Sequence, residues 1–108
     1  MATSKARGSA KAGPVSEKAL RGELAQAQVD YEVKWWWIKG TPWPDLLRAG
    51  IVVKDPGQLG TALSTIAGGL ARGGAIASYD VFPIGLVNPE GYHVGISAIS
   101  RKKGVITG

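Results

Sequence analysis

Three consecutive tryptophans, Trp35, Trp36 and Trp37, stand in the stretch VKWWWIKG, and no regular element can put all three on one side. A helix sends successive side chains out about 100° apart, and a strand alternates them between faces. The fold must therefore supply apolar surroundings on more than one side of this segment, or leave an indole in water. Each indole can bury on the order of 200 Å². The chain has 108 residues and a single Phe, so an indole left wet forfeits a large contribution. The triplet predicts that at least one of the three packs against something outside its own chain. The others are expected to join Trp43, of the TPWP sequence, in an aromatic cluster.

Spacing around the triplet reads as helical. Ser16 can cap a helix, with Glu17 in the first turn where the dipole favours an acid. Leu20, Leu24, Ala27, Tyr31 and Ile38 follow at three- and four-residue steps, and Val29, Val33 and Trp36 form a second stripe. This predicts one amphipathic helix over 17–38, apolar almost all round in its last two turns and ended by Gly40. TPWPDLLRAG then reads as a short helix, with Thr41 as cap, Pro42 at the first helical position and Gly50 as a left-handed stop. A further helix is predicted over 55–74. Asp55 caps it, Pro56 starts it, Gln58 stands at a capping-box spacing, and Gly73 or Gly74 ends it. Leu59, Leu63, Ile66 and Leu70 form its apolar stripe, and no charge stands between Asp55 and Arg72. Its other face carries Gly60, Ser64 and Gly68, small residues four apart that let another backbone come close.

The remainder reads as strands. AIASYDVFPIGLV and YHVGISAIS are joined by NPEG, a turn with Pro second and Gly last. Tyr92, Val94, Ile96 and Ala98 share a face, and Pro83 and Gly85 mark the first strand as an edge or a bulge. Residues 105–107 could add a short third strand. The expected fold is α+β: a long N-terminal amphipathic helix, a short helix, a second helix, then a C-terminal antiparallel β-hairpin or three-stranded sheet. Residues 1–15 are read as a flexible basic arm and 16–108 as a single small domain.

Net charge is +5. Lys5, Arg7 and Lys11 stand without an acid among them, and Arg101, Lys102 and Lys103 form a second cluster. Such clusters point to an anionic partner, nucleic acid first and a membrane surface second. The absence of Cys excludes a disulfide framework, a thiolate zinc site and a cysteine nucleophile. The one histidine, His93, has no spaced partner for metal binding or catalysis. Asp30 and Glu32 are two apart, a poor carboxylate pair on a helix, and GGLARGG lacks the context of a phosphate-binding loop. The chain is therefore expected to be non-enzymatic, with no metal and no cofactor. It contains no apolar run of the roughly 20 residues that span a bilayer and no secretory signal, which suggests the cytoplasm or an assembled particle.

Three binding roles follow. The leading one is a structural assembly subunit of a larger particle, of phage or virion type. It packs through Trp35, Trp36, Trp37 and Trp43 and the face Gly60, Ser64 and Gly68, with copies of itself or other structural subunits as partners. Its basic arm contacts nucleic acid or a neighbouring subunit. The alternative is a winged-helix DNA-binding protein, with PDLLRAGIVVKDPGQLGTALSTIA as helix-turn-helix and NPEG as the wing tip. Of its recognition-helix residues only Gln58, with Arg72 at the far end, suits base reading. The third is a membrane-surface role for the tryptophans between Lys34 and Lys39, opposed by the acids Asp30 and Glu32 one turn back.

Overall fold

The structure is a computed structural model that describes residues 15–40 and 43–108. Its elements are α1 (Glu17–Gln26), β1 (Tyr31–Lys39), β2 (Leu46–Val53), α2 (Leu59–Ala71), β3 (Ile76–Val87) and β4 (Gly91–Ser100). The four strands form one antiparallel sheet in the order β1-β2-β4-β3. Leu20 and Leu24 of α1 and Ala62, Ile66 and Leu70 of α2 share a core with Leu47, Ala49, Ile51 and Val53 of β2 and Val94, Ile96 and Ala98 of β4. These alternate strand residues all lie on one side of the sheet, as the two-residue period requires. The molecule measures 41 × 40 × 18 Å, and its thin dimension has room for one sheet and one helix layer.

The predicted fold is corrected in three places. First, the helix expected over 17–38 stops early. Ser16 does cap it, its Oγ accepting from the Ala19 amide at 3.1 Å, but α1 is only ten residues long. Gln28 then takes φ 60° and the chain turns into a strand. The Gln58 side chain clamps this turn. Its Nε2 donates to the Gln28 carbonyl at 2.9 Å, and its Oε1 accepts from the Asp30 amide at 2.8 Å. Gln58 thus serves the loop and not a capping box. The Trp triplet lies in β1, where a bulge between Val33 and Trp35 inserts Lys34. Tyr31, Val33, Trp36 and Ile38 pack on the core, and the bulge spaces them by two, three and two residues. That interval sums to seven, so a bulged strand imitates a helical repeat.

Second, no short helix follows. Residues 46–53 form β2, central in the sheet and buried almost throughout. Its Ile51, Val52 and Val53 are β-branched residues that fit a pleated surface. Gly50 sits mid-strand and is no left-handed stop. Thr41 and Pro42 lie outside the described residues. The helix-turn-helix of the winged-helix reading therefore loses its first helix. The helix over 55–74 is present as α2 flanked by short 3-10 turns, and it ends at Gly73 and Gly74, with φ 80° and 68°.

Third, the sheet has four strands, not a hairpin or three strands, because β1 and β2 join the two C-terminal ones. β3 is an edge strand with a bulge between Pro83 and Gly85. Residues 105–107 do not extend the sheet. Thr107 makes one parallel bridge to Ser16, its amide donating to the Val15 carbonyl at 2.9 Å. Buried Asp45 anchors this last segment, its Oδ2 accepting from the Val105 and Ile106 amides at 2.8 and 3.0 Å.

Candidate functional site

The helices pack on one face of the sheet, where Tyr79 stays exposed on the edge strand, and the other face carries Trp35, Trp37 and Phe82. Strand alternation decides which residues stand there. On β1 they are Glu32, Trp35, Trp37 and Lys39, paired with Val52, Gly50, Arg48 and Leu46 of β2. Those in turn face His93, Gly95, Ser97 and Ile99 of β4. On β3, Ser78, Asp80, Phe82 and Gly85 complete the rows. Trp35 is 45% exposed, Trp37 46%, Phe82 37%, Ile84 53% and Ile99 43%.

The centre of this face is built from two glycines. Gly50 and Gly95 are opposite each other in register, so neither strand raises a side chain there. Trp35 lies over Gly50: a Cβ on that glycine would fall 2.7 Å from the indole Nε1 and 2.8 Å from His93 Nε2. Phe82 lies over Gly95, where a Cβ would fall 2.6 Å from its ring. Opposed positions on paired strands are about 5 Å apart, so the two rings cover adjacent points. The glycines make room for rings lying flat, and the face becomes a plate.

Charge is sorted along the strands. Lys39 ends β1, and Arg101, Lys102 and Lys103 follow β4 at the same end of the sheet, with Arg48 one row inward. Asp30, Glu32, Asp55 and Glu90 gather at the opposite end, with Lys34 and Lys54 among them. Lys34 pairs with Glu90 and Lys54 with Glu32, both at 3.2 Å. The Lys54 ammonium holds the Glu32 carboxyl below its ordinary range, with Lys34 adding to the effect. On the helix side, the Arg72 guanidinium grips both Glu23 oxygens at 2.7 and 3.1 Å and likewise lowers that carboxyl.

The predicted site residues are distributed as follows. Trp35 and Trp37 stand on the open face, and Trp36 packs half-buried on the core with its indole N–H unpaired. The expected aromatic cluster is thus split between two faces. Trp43, in the β1–β2 loop, is 74% exposed. Gly60, Ser64 and Gly68 are solvent-exposed on α2, and a Cβ on either glycine would meet nothing within 4 Å. Arg101, Lys102 and Lys103 are exposed at the basic end, whereas Lys5, Arg7 and Lys11 lie outside the described residues. Sequence reasoning missed Phe82, Ile84, Ile99, Gly50 and Gly95. The signal for those on β3 and β4 was strand alternation, read for one face only, while Gly50 was hidden by reading β2 as a helix with that glycine as its stop.

His93 sits on the same face with its Nε2 buried and unpaired. Among the described residues no three His, Asp or Glu side chains converge to hold a metal, and no helix is long and apolar enough to cross a membrane. The chain matches no protein-family model, no curated protein and no solved structure.

Proposed function

We propose that the protein is a non-enzymatic assembly subunit, of the kind found in phage or virion particles, whose open sheet face is covered by protein in the working state. The observation that carries this reading is the plate formed by Trp35, Trp37, Phe82, Ile84 and Ile99, all more than a third exposed on one face. Aromatic residues are the common interface anchors, and large apolar side chains grouped on one exposed face mark a contact site. The exposed small-residue face of α2, with Gly60, Ser64 and Gly68, is a second contact surface. Replacing Trp35 and Phe82 together by Lys is the test. Light scattering should then report loss of higher-mass species, with the far-UV circular dichroism unchanged. Assembly that persists in this variant overturns the reading.

A second reading has its own support. Lys39, Arg48, Arg101, Lys102 and Lys103 share the end of the sheet that carries exposed Trp37 and the β1–β2 loop with exposed Trp43, a grouping suited to backbone phosphates and stacked bases. On this reading the basic end, with the arm carrying Lys5, Arg7 and Lys11, contacts nucleic acid. A membrane-surface role is weaker, because Glu32 and Asp80 share the face with the tryptophans and an anionic bilayer repels them.

A further inference from the structure

We infer that the occupant of the open sheet face is a second copy of this chain, packed face to face about a two-fold axis that runs across the strands. The inference rests on the reading of this face as a docking surface and adds to it the partner and the orientation. Shape, charge and area carry it.

The shape is that of a sheet's partner. Trp35 and Phe82 lie down over Gly50 and Gly95, so the centre has no groove for a helix or an extended peptide. A plate is best covered by another plate, as in sandwiches where two sheets pack about 10 Å apart.

Charge selects the orientation. On β1, Glu32 stands toward one end and Lys39 at the other, and their midpoint falls on the Trp triplet. A two-fold axis across the strands, above the backbone row Trp36, Ala49, Ile96 and Val81, lays β1 antiparallel on the partner's β1. Lys39 of each copy then meets Glu32 of the other, so symmetry makes the contact twice. The row of Trp37 and Arg48 then lies over the partner's row of Trp35 and Gly50, so indoles meet across the axis. An axis along the strands would instead stack the basic end with Arg101, Lys102 and Lys103 on itself, and like charges opposed across an interface are costly.

The area sets the strength. Four strands at about 4.8 Å spacing and eight residues at about 3.3 Å cover about 500 Å². Two copies then bury about 1,000 Å², the lower limit for a specific interface. The dimer is therefore one that dissociates on dilution and weakens with salt.

The experiment measures mass by sedimentation from about 10 μM to 1 mM at two salt concentrations, and cross-links the full chain with a zero-length carbodiimide. The expected result is a dimer whose Kd rises at least about tenfold in high salt, with a link from Lys39 of one copy to Glu32 of the other. The link is shown to be intermolecular by mixing isotope-labelled and unlabelled protein. Glu32→Lys should raise Kd about tenfold, and adding Lys39→Glu in the same chain should bring it back to within about threefold of the original. Each variant's thermal midpoint is measured beside it to separate loss of contact from loss of fold.

A protein that stays monomeric throughout overturns the second copy and leaves the face to a different protein. A dimer that Trp35→Lys dissociates, but that the charge swap does not rescue, overturns the orientation while the docking reading stands. A dimer indifferent to Trp35→Lys and Phe82→Lys overturns both. A monomer whose tryptophan emission is quenched by oligo(dT), and not after Trp35→Ala, overturns the inference in favour of a single-stranded nucleic acid.

Discussion

Asp45 is buried, yet its carboxylate is satisfied by the amides of the segment that closes the fold. Its own amide donates to Ser100 Oγ at 2.9 Å, and the Ser100 amide returns a bond to the Asp45 carbonyl at 3.0 Å. The Ile106 amide chiefly holds the carboxyl below its ordinary range, with the Gly104 and Val105 amides and Lys103 adding, against the opposing effect of burial. A carboxyl depressed on folding stabilises above its unfolded pKa, near 3.9, and that stability is lost as pH falls through the lower folded value. Asp45→Ala should cost about 2–4 kcal/mol at pH 7, because two amides lose a charged acceptor. In urea titrations the difference between wild type and variant should shrink below about pH 4. A difference that holds constant from pH 7 to pH 3 contradicts the anchor. The glycines divide by what a methyl group would meet. Gly91 has φ 135°, and a Cβ there would run into the Val53 carbonyl oxygen. Gly91→Ala should therefore cost about 3 kcal/mol or more. In Gly50→Ala the methyl group would meet first the Trp35 indole and the His93 ring, side chains and not backbone. Trp35 can lift away, so the cost should be nearer 1 kcal/mol, and a red shift of tryptophan emission should report the lifted ring.

At the scale of elements, α2 combines a buried stripe of Ala62, Ile66 and Leu70 with an exposed side that has no charge and two glycines open to water. Glycine inside a helix costs about 0.5–1 kcal/mol relative to alanine. Gly60→Ala and Gly68→Ala should each stabilise the isolated chain by about that amount in chemical denaturation. If the small-residue face is a contact surface, the same changes should weaken assembly measured by light scattering. The sequence made α2 legible because the Asp55 cap, the three- and four-residue stripe and the glycine stop agree, although Gln58 serves the neighbouring turn and not the helix. β3 and β4 were legible for a similar reason. β1 was not: the bulge turned a two-residue period into an apparent seven, and the apolar stretch preceding it joined the pattern. Tyr, Val, Trp and Ile in succession were the contrary signal, since such residues favour strands. β2 was read through its prolines, although an eight-residue stretch broken by the single charge of Arg48 and ending in Ile51, Val52 and Val53 is also what a central strand looks like. The candidate face followed the same divide. The triplet was visible as three indoles that could not share one face, but which two would stand on the open one was not. Phe82, Ile84 and the glycine pair needed the strand order, which depends on contacts between distant segments.

For the whole molecule, the open face and the charge gradient bear on different partners and can be separated. Replacing Arg101, Lys102 and Lys103 by Gln removes cations that lie beyond the sheet and leaves the aromatic plate intact. Binding to a polyanion such as oligo(dT) should then weaken, with the slope of log affinity against log salt smaller by up to about two to three. The sheet-face dimer should change far less, because its oppositely charged pair, Lys39 and Glu32, is retained. Equal loss of both activities would mean that nucleic acid and protein compete for one surface.

The bulge at Lys34 has a consequence for how this chain tolerates length changes. Dropping one residue from a strand ordinarily turns every later side chain to the opposite side. Here Lys34 is the surplus residue, for Val33 already pairs with Ile51 and Trp35 with Gly50, the next position along. A chain lacking Lys34 can close into an unbroken ladder with each indole keeping its present side, losing the exposed ion pair to Glu90 and the weaker attraction to Glu32. It should fold with a thermal midpoint within a few degrees of the full-length protein. Removing Trp37 instead has no such slack to draw on. An in-frame deletion, usually the harshest edit a strand can suffer, is at this one codon close to silent.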